Sequence, residues 1–143
     1  MILALPDVLQ KRLFYYFCYH ENEKREIYDK SYLSKVKNFS TDVFFEKLFG
    51  QVKKYHWVDQ LSYLDLNTYT RDDLLLGSNM TSMAHSLEGR VPFLDPRLVT
   101  FAASIPPVYK YRNGISKYIL KKAVKDWLPE EVLQHGKTGF GLP

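Results

Sequence analysis

Asp95-Pro96-Arg97-Leu98-Val99-Thr100-Phe101-Ala102-Ala103-Ser104-Ile105-Pro106-Pro107 reads as one helix with both ends written into it. Aspartate as N-cap and proline at the first helical position form a start signal, because the proline N–H would lack a helical partner there anyway. Leu98, Phe101, Ala102 and Ile105 then share one face, and Pro106-Pro107 predicts the stop.

The same period extends in both directions. Toward the C-terminus, Asn113-Gly114 marks a turn, and Ser116 can cap a helix whose inner face is Leu120, Ala123, Val124 and Trp127. Pro129 opens a last short helix through Leu133. Toward the N-terminus, Leu76, Met80, Met83, Ala84 and Leu87 make a stripe in a helix that Thr70 can cap, with Asp72 and Asp73 in its first turn. Trp57, Leu61 and Leu64 belong to another helix. Phe45, Leu48, Phe49 and Val52 follow i, i+3, i+4, i+7 behind a cap at Ser40 or Thr41. Leu9, Leu13, Tyr16 and Phe17 share a face, and the charged stretch from Glu21 to Lys30 reads as a solvated helix or loop. No alternating strand stands out. The expected fold is all-α, with Leu98, Phe101, Ala102, Leu120, Ala123, Val124 and Trp127 in the core.

Composition narrows the classes. The chain has 143 residues, 45% of them hydrophobic, which suits one globular domain or a piece of one. A single cysteine, Cys18, excludes an internal disulfide framework and a cysteine-based zinc site. No apolar run reaches the length of a bilayer span, so no membrane partner is expected. The net charge of +4 comes with lysines concentrated late in the chain, at Lys117, Lys121, Lys122, Lys125 and Lys137. That balance fits a phosphate-bearing ligand or a solvated helix face. Nucleic acid is not expected, because no recognised motif is present and the aromatics lie mostly on apolar faces. Asp65, Asp72 and Asp73 are spaced as helix-start carboxylates, and no metal ligands are assigned.

Three segments carry a family resemblance. They are Tyr63 to Leu75 (YLDLNTYTRDDLL), Ser82 to Asp95 (SMAHSLEGRVPFLD), and Ser116 to Ala123 (SKYILKKA) with Leu128 to Leu133 (LPEEVL) and Lys137 to Gly141 (KTGFG). In this order the chain resembles the synthetase domain of glutamine-hydrolysing asparagine synthetases, well from residue 55 onward and as a helical lead-in over residues 1–54. The resemblance implies the helical C-terminal portion of an α/β, adenine-nucleotide alpha-hydrolase-like domain. It implies a cytoplasmic ligase using ATP and magnesium, with aspartate and glutamine-derived ammonia as substrates, and a homodimer as a further expectation. The family's SGGxDS-type nucleotide loop and its Met-Cys glutaminase start do not occur in these residues. This chain alone is therefore expected not to turn over, and both of its ends read as cut.

The resemblance also implies roles for particular residues. Lys137 is expected to lie against the ATP phosphates and to stabilise charge in acyl transfer, as a fixed ammonium can. Lys117, expected in the first turn of its helix, would face pyrophosphate, where free N–H groups already favour anions. Glu88 and Arg90 flank Gly89 before a buried-looking Val91-Pro92-Phe93-Leu94 run and can form an ion pair that positions the loop, or contact substrate. Asn79 lies on the apolar stripe and is expected to be a satisfied core amide. Met80 departs from the family's usual basic residue, which weakens a substrate role for this wall. Lys121 and Lys125 read as surface lysines, and His85 as a solvated histidine. Other readings stay open: a related acyl-adenylating amidotransferase that makes β-lactams, cyclises peptides or amidates sugars or polymers, and a non-catalytic helical interaction module.

Overall fold

The computed structural model describes residues 21–36 and 40–136. The expected Leu9–Phe17 face, Cys18 and Lys137 lie outside the described residues. The chain divides into two compact units at Asp95/Pro96, each described by itself.

In the first unit, α1 (Glu21–Ile27) and α2 (Lys30–Lys35) are short, and α3 (Thr41–Val52) and α4 (Trp57–Asn67) hold the core. Ser40 caps α3 as expected, its side chain accepting from the Val43 N–H. Phe45, Phe49 and Leu64 form the buried cluster, with Leu48 and Leu61 packed against it and Val52 also buried. The pattern of Phe45, Leu48, Phe49 and Val52 therefore marks a true inner face. Gln60 is buried, and its amide donates to the Lys53 and Tyr55 carbonyls, at 3.0 and 2.8 Å. Those bonds satisfy backbone acceptors where α3 ends and hold the turn into α4. Tyr63 adds a bond from its hydroxyl to Gln51 Oε1 at 2.6 Å.

The helix after α4 differs from expectation. Tyr69–Leu75 is a π-helical segment that runs directly into α5 (Leu76–Met83), so Thr70 lies inside it and does not cap a new helix. The buried Thr68 hydroxyl donates to the Leu64 carbonyl at 2.7 Å, which diverts that carbonyl at the place where the helical register changes. The stripe of Leu76, Met80, Met83 and Leu87 is not core in this chain: each of the four is exposed.

The second unit contains α6 (Pro96–Ser104), α7 (Pro107–Lys110), strands β1 (Tyr111–Arg112) and β2 (Ile115–Ser116), α8 (Tyr118–Ala123) and α9 (Glu130–Gln134). Pro96 starts α6 as its sequence signal requires. Pro107 both follows the stop and opens the one-turn α7. The described residues are mostly helical, as expected, with one local exception. β1 and β2 pair antiparallel, with Tyr111 opposite Ser116 and Arg112 opposite Ile115. The turn between them is Asn113-Gly114, both at positive φ (50° and 81°), the combination a tight hairpin demands. Strands of two residues are too short to show alternation, which is why the pattern hid them.

The expected core of this unit is also corrected. Its helices contain no fully buried residue. Leu98, Phe101, Ala102, Leu120 and Ala123 are exposed, Val124 is half-buried, and Trp127 is 81% exposed. Helical spacing placed several of them on common faces correctly. It could not say that those faces stay exposed.

Candidate phosphate-binding groove

The second unit holds a groove of about 610 Å³ between α8 and α9. Ser116, Lys117, Lys121, Glu131, His135 and Gly136 line it, together with leucine and valine side chains. The hairpin delivers Lys117 to this position. Ser116 is the last residue of β2 and does not cap α8; Lys117 is the N-cap, at φ 56° and ψ 32°. Lys117 is thus not in the first turn, as expected from sequence, but just ahead of it. A lysine in left-handed conformation is strained by roughly 1–2 kcal/mol. Its carbonyl accepts the Lys121 N–H at 2.9 Å, so the two lysines belong to one turn of chain. Among the described residues neither ammonium has a carboxylate within ion-pair distance.

The neighbouring cations face elsewhere. Lys122 and Arg112 both lie over the Tyr118 ring, 5.1 and 5.4 Å from its centre. The hydrogen bond with Lys122, with its charge and that of Arg112 beside it, holds the Tyr118 hydroxyl below the usual phenol range against the opposing effect of burial. Lys125 is exposed and does not line the groove. Of the lysines four and eight positions after Lys117, only Lys121 lines the groove with it. From sequence Lys121 reads as a surface lysine, and Glu131 and His135 carry no assigned role. Only the i+4 interval from Lys117 could have drawn attention to Lys121.

The first unit carries the other candidates. Arg90 and Glu88 do pair, Nη2 to Oε1 at 2.8 Å, but with side chains 81% and 65% exposed. This is a surface ion pair, and such pairs contribute about 0–1 kcal/mol. The run after it is open too, with Val91 and Phe93 exposed. Gly89 has room for a side chain: an added Cβ would meet only the Ser82 hydroxyl, at 3.9 Å, an ordinary van der Waals contact. Asn79 is exposed and is not the core amide expected. His85 is exposed, its Nδ1 3.1 Å from the Thr81 carbonyl. Arg71 binds Asp72 through two hydrogen bonds, and the first effect of that contact is to hold the Asp72 carboxyl below its ordinary range. Among the described residues no three His, Cys, Asp or Glu side chains converge on a metal-binding point. Among the same residues, no helix is long and apolar enough to cross a membrane.

Comparison with known proteins gives the groove its context. The family described as Asparagine synthase matches residues 5–143. Asparagine synthetase [glutamine-hydrolyzing] 1 of Bacillus subtilis is 41% identical over 95 residues, 66% of this chain and 15% of the relative. A putative asparagine synthetase [glutamine-hydrolyzing] of Mycobacterium bovis is 38% identical over 86 residues, 60% of this chain and 13% of that protein. Asparagine synthetase [glutamine-hydrolyzing] of Mesocricetus auratus is 41% identical over 69 residues, 46% of this chain and 12% of that protein. The matched part is thus about a seventh of these relatives' length. No solved structure matches the chain.

Proposed function

The chain belongs to the asparagine synthase family, and from that premise we propose that it is the helical C-terminal part of an α/β, adenine-nucleotide alpha-hydrolase-like synthetase domain in an asparagine-forming ligase. The observation that carries the reading is the family match over residues 5–143. In the proposed reaction a side-chain carboxylate oxygen of aspartate attacks the α-phosphorus of ATP and pyrophosphate leaves. Ammonia released from glutamine then attacks the acyl carbon and AMP leaves. Magnesium, when bound with ATP, would neutralise phosphate charge.

This chain's contribution is electrostatic. Lys117 and Lys121 give the groove two cations without carboxylate partners among the described residues, which suits a polyanion such as pyrophosphate. Lys137 follows Gly136 in sequence and is proposed to act on the phosphates during both steps. Glu88 and Arg90 are proposed to fix the loop after α5, and Asn79 to face substrate or a neighbouring part of the domain. The proposal extends to a cytoplasmic protein and a homodimer.

The test is aspartate-dependent exchange of label between pyrophosphate and ATP by the intact protein that carries this chain, followed by asparagine and AMP formation with glutamine. Both activities are expected. Adenylation of another carboxylate, with none of aspartate, would instead identify a related amidotransferase. A folded intact protein that adenylates no carboxylate would overturn the proposal in favour of a helical interaction module.

A further inference from the structure

We infer that Tyr118 is a positioning residue for the phosphate groove: its ring, clamped between Arg112 and Lys122, holds Lys117 in the left-handed backbone conformation that places it along the groove. The inference rests on reading that groove as a phosphate site. Lys117 stands at φ 56° and ψ 32°, a conformation that a residue with a Cβ adopts only at a cost. Such a residue keeps it where the surrounding structure over-determines the backbone. Two anchors do so here, one on each side. Ahead of Lys117, the hairpin pairs Ser116 with Tyr111 and Ile115 with Arg112. Behind it, Tyr118 begins α8, and the Lys117 carbonyl accepts the Lys121 N–H at 2.9 Å.

Tyr118 ties the two anchors together. Arg112 Nη1 donates to its hydroxyl in a long hydrogen bond of 3.4 Å, and the guanidinium carbon lies 5.4 Å from the ring centre. This contact joins β1 to α8 and bypasses the strained residue between them. Lys122, one turn further along α8, lies 5.1 Å from the same ring centre and holds the ring from its own helix. Both cations are within the roughly 6 Å reach of cation–π attraction. The lowered range of the Tyr118 hydroxyl, set first by the Lys122 hydrogen bond and then by the two positive charges, reports the same convergence. Tyr118 is half-buried in this arrangement, while Arg112 and Lys122 are exposed. None of the three lines the groove, so the clamp acts on a bound anion through Lys117.

The experiment is calorimetric titration of this chain with inorganic pyrophosphate at fixed pH and ionic strength, with circular dichroism to check folding. Tyr118→Leu removes the ring and leaves the net charge unchanged. It is expected to weaken pyrophosphate binding about two- to fivefold, the factor that one exposed cation–π contact is worth. Tyr118→Phe keeps the ring and should restore most of the affinity. In the Tyr118→Leu background, Lys117→Ala should cost less than it does in wild type, because the lysine is already released; the double-mutant cycle measures that coupling. The Cα and Cβ chemical shifts of Lys117 should leave left-handed values in Tyr118→Leu and keep them in Tyr118→Phe. If Tyr118→Leu does not fold, Arg112→Ala replaces it, with Lys125→Ala as the control for loss of one positive charge. Lys117→Ala weakening the binding, while the clamp variants match wild type or their control and show no coupling to it, would overturn the role of Tyr118 and leave the phosphate groove standing. If wild type binds no pyrophosphate, or Lys117→Ala and Lys121→Ala leave the affinity unchanged, both readings fall together.

Discussion

At the scale of single residues, the lysines sort by what surrounds them. Lys117, Lys121, Lys122 and Lys125 lie within nine positions of each other, yet two line a groove, one rests on a tyrosine ring and one stands in solvent. Lys121→Ala is therefore expected to weaken pyrophosphate binding, whereas Lys125→Ala should leave it unchanged. Equal effects in a titration at matched ionic strength would remove the distinction. Lys137 carries the larger proposal. Loss of one preorganised charge-stabilising group costs about 10²–10³ in rate, so if the intact protein is the ligase proposed above, Lys137→Ala in it should lower kcat by that factor with an unchanged melting temperature. Lys137→Arg should rescue little, because a planar guanidinium does not reproduce a compact ammonium. Steady-state kinetics with aspartate, ATP and glutamine, alongside thermal melts, measure both.

At the scale of elements, contacts between helices decide which faces matter. Glu21 on α1 accepts from the Thr41 N–H at 3.1 Å and from Lys24 Nζ at 2.9 Å, while Lys24 donates to the Thr41 hydroxyl. It thus caps α3 across a gap of twenty residues, at the helix end that favours negative charge. Burial opposes ionisation of Glu21, but the bonds from Lys24 and Thr41 outweigh it and hold its carboxyl below the ordinary glutamate range. A lowered folded-state value means that the stabilisation is complete above the unfolded value and is lost as pH falls through the folded one. Acid titration should accordingly loosen α1 from α3, read as faster amide exchange at Thr41. Glu21→Gln should remove that acid dependence; if exchange at Thr41 keeps the same pH profile, Glu21 is not the latch.

Burial separates two other positions in the same way. Leu64 is 2% exposed and Trp127 81%. Leu64→Ala should cost about 2–5 kcal/mol, the range for leucine truncation in a core. Trp127→Ala should stay within about 0.5 kcal/mol despite the larger side chain. Urea unfolding of the two variants compares them directly, and the reverse order would contradict the assignment of the core to α3 and α4.

At the scale of the whole chain, apolar surface exceeds what these residues bury. Only Phe45, Phe49, Val52 and Leu64 are buried hydrophobics among the described residues, while Leu76, Met80, Met83, Leu87 and Phe93 stay open in the first unit. Contiguous apolar patches above a few hundred Å² mark surfaces that meet another apolar surface. The chain should therefore bind a hydrophobic reporter dye such as anilinonaphthalene sulfonate, and Met80→Gln with Met83→Gln should reduce the signal without lowering the melting temperature. Undiminished dye fluorescence in that double variant would place the dye elsewhere.

Local chemistry determined much of this molecule from sequence alone. Ser40 capping α3, Pro96 opening α6, the Asn113-Gly114 turn and the inner face of α3 all follow from interactions within a few residues, which any chain with those residues makes. The ordered segments around residues 63–75, 82–95 and 116–141 likewise sufficed for the family. What needed the tertiary structure was everything set by what packs against what. Periodicity identifies an apolar face but not its partner, so the stripes of α5, α6 and α8 were legible while their exposure was not. A hairpin two residues long has no period to read, and Lys117 reached its left-handed N-cap position through that hairpin. The groove joins Lys117 and Lys121 to Glu131 and His135 across the turn between α8 and α9, and their proximity is fixed by how the chain reverses, which no local spacing encodes.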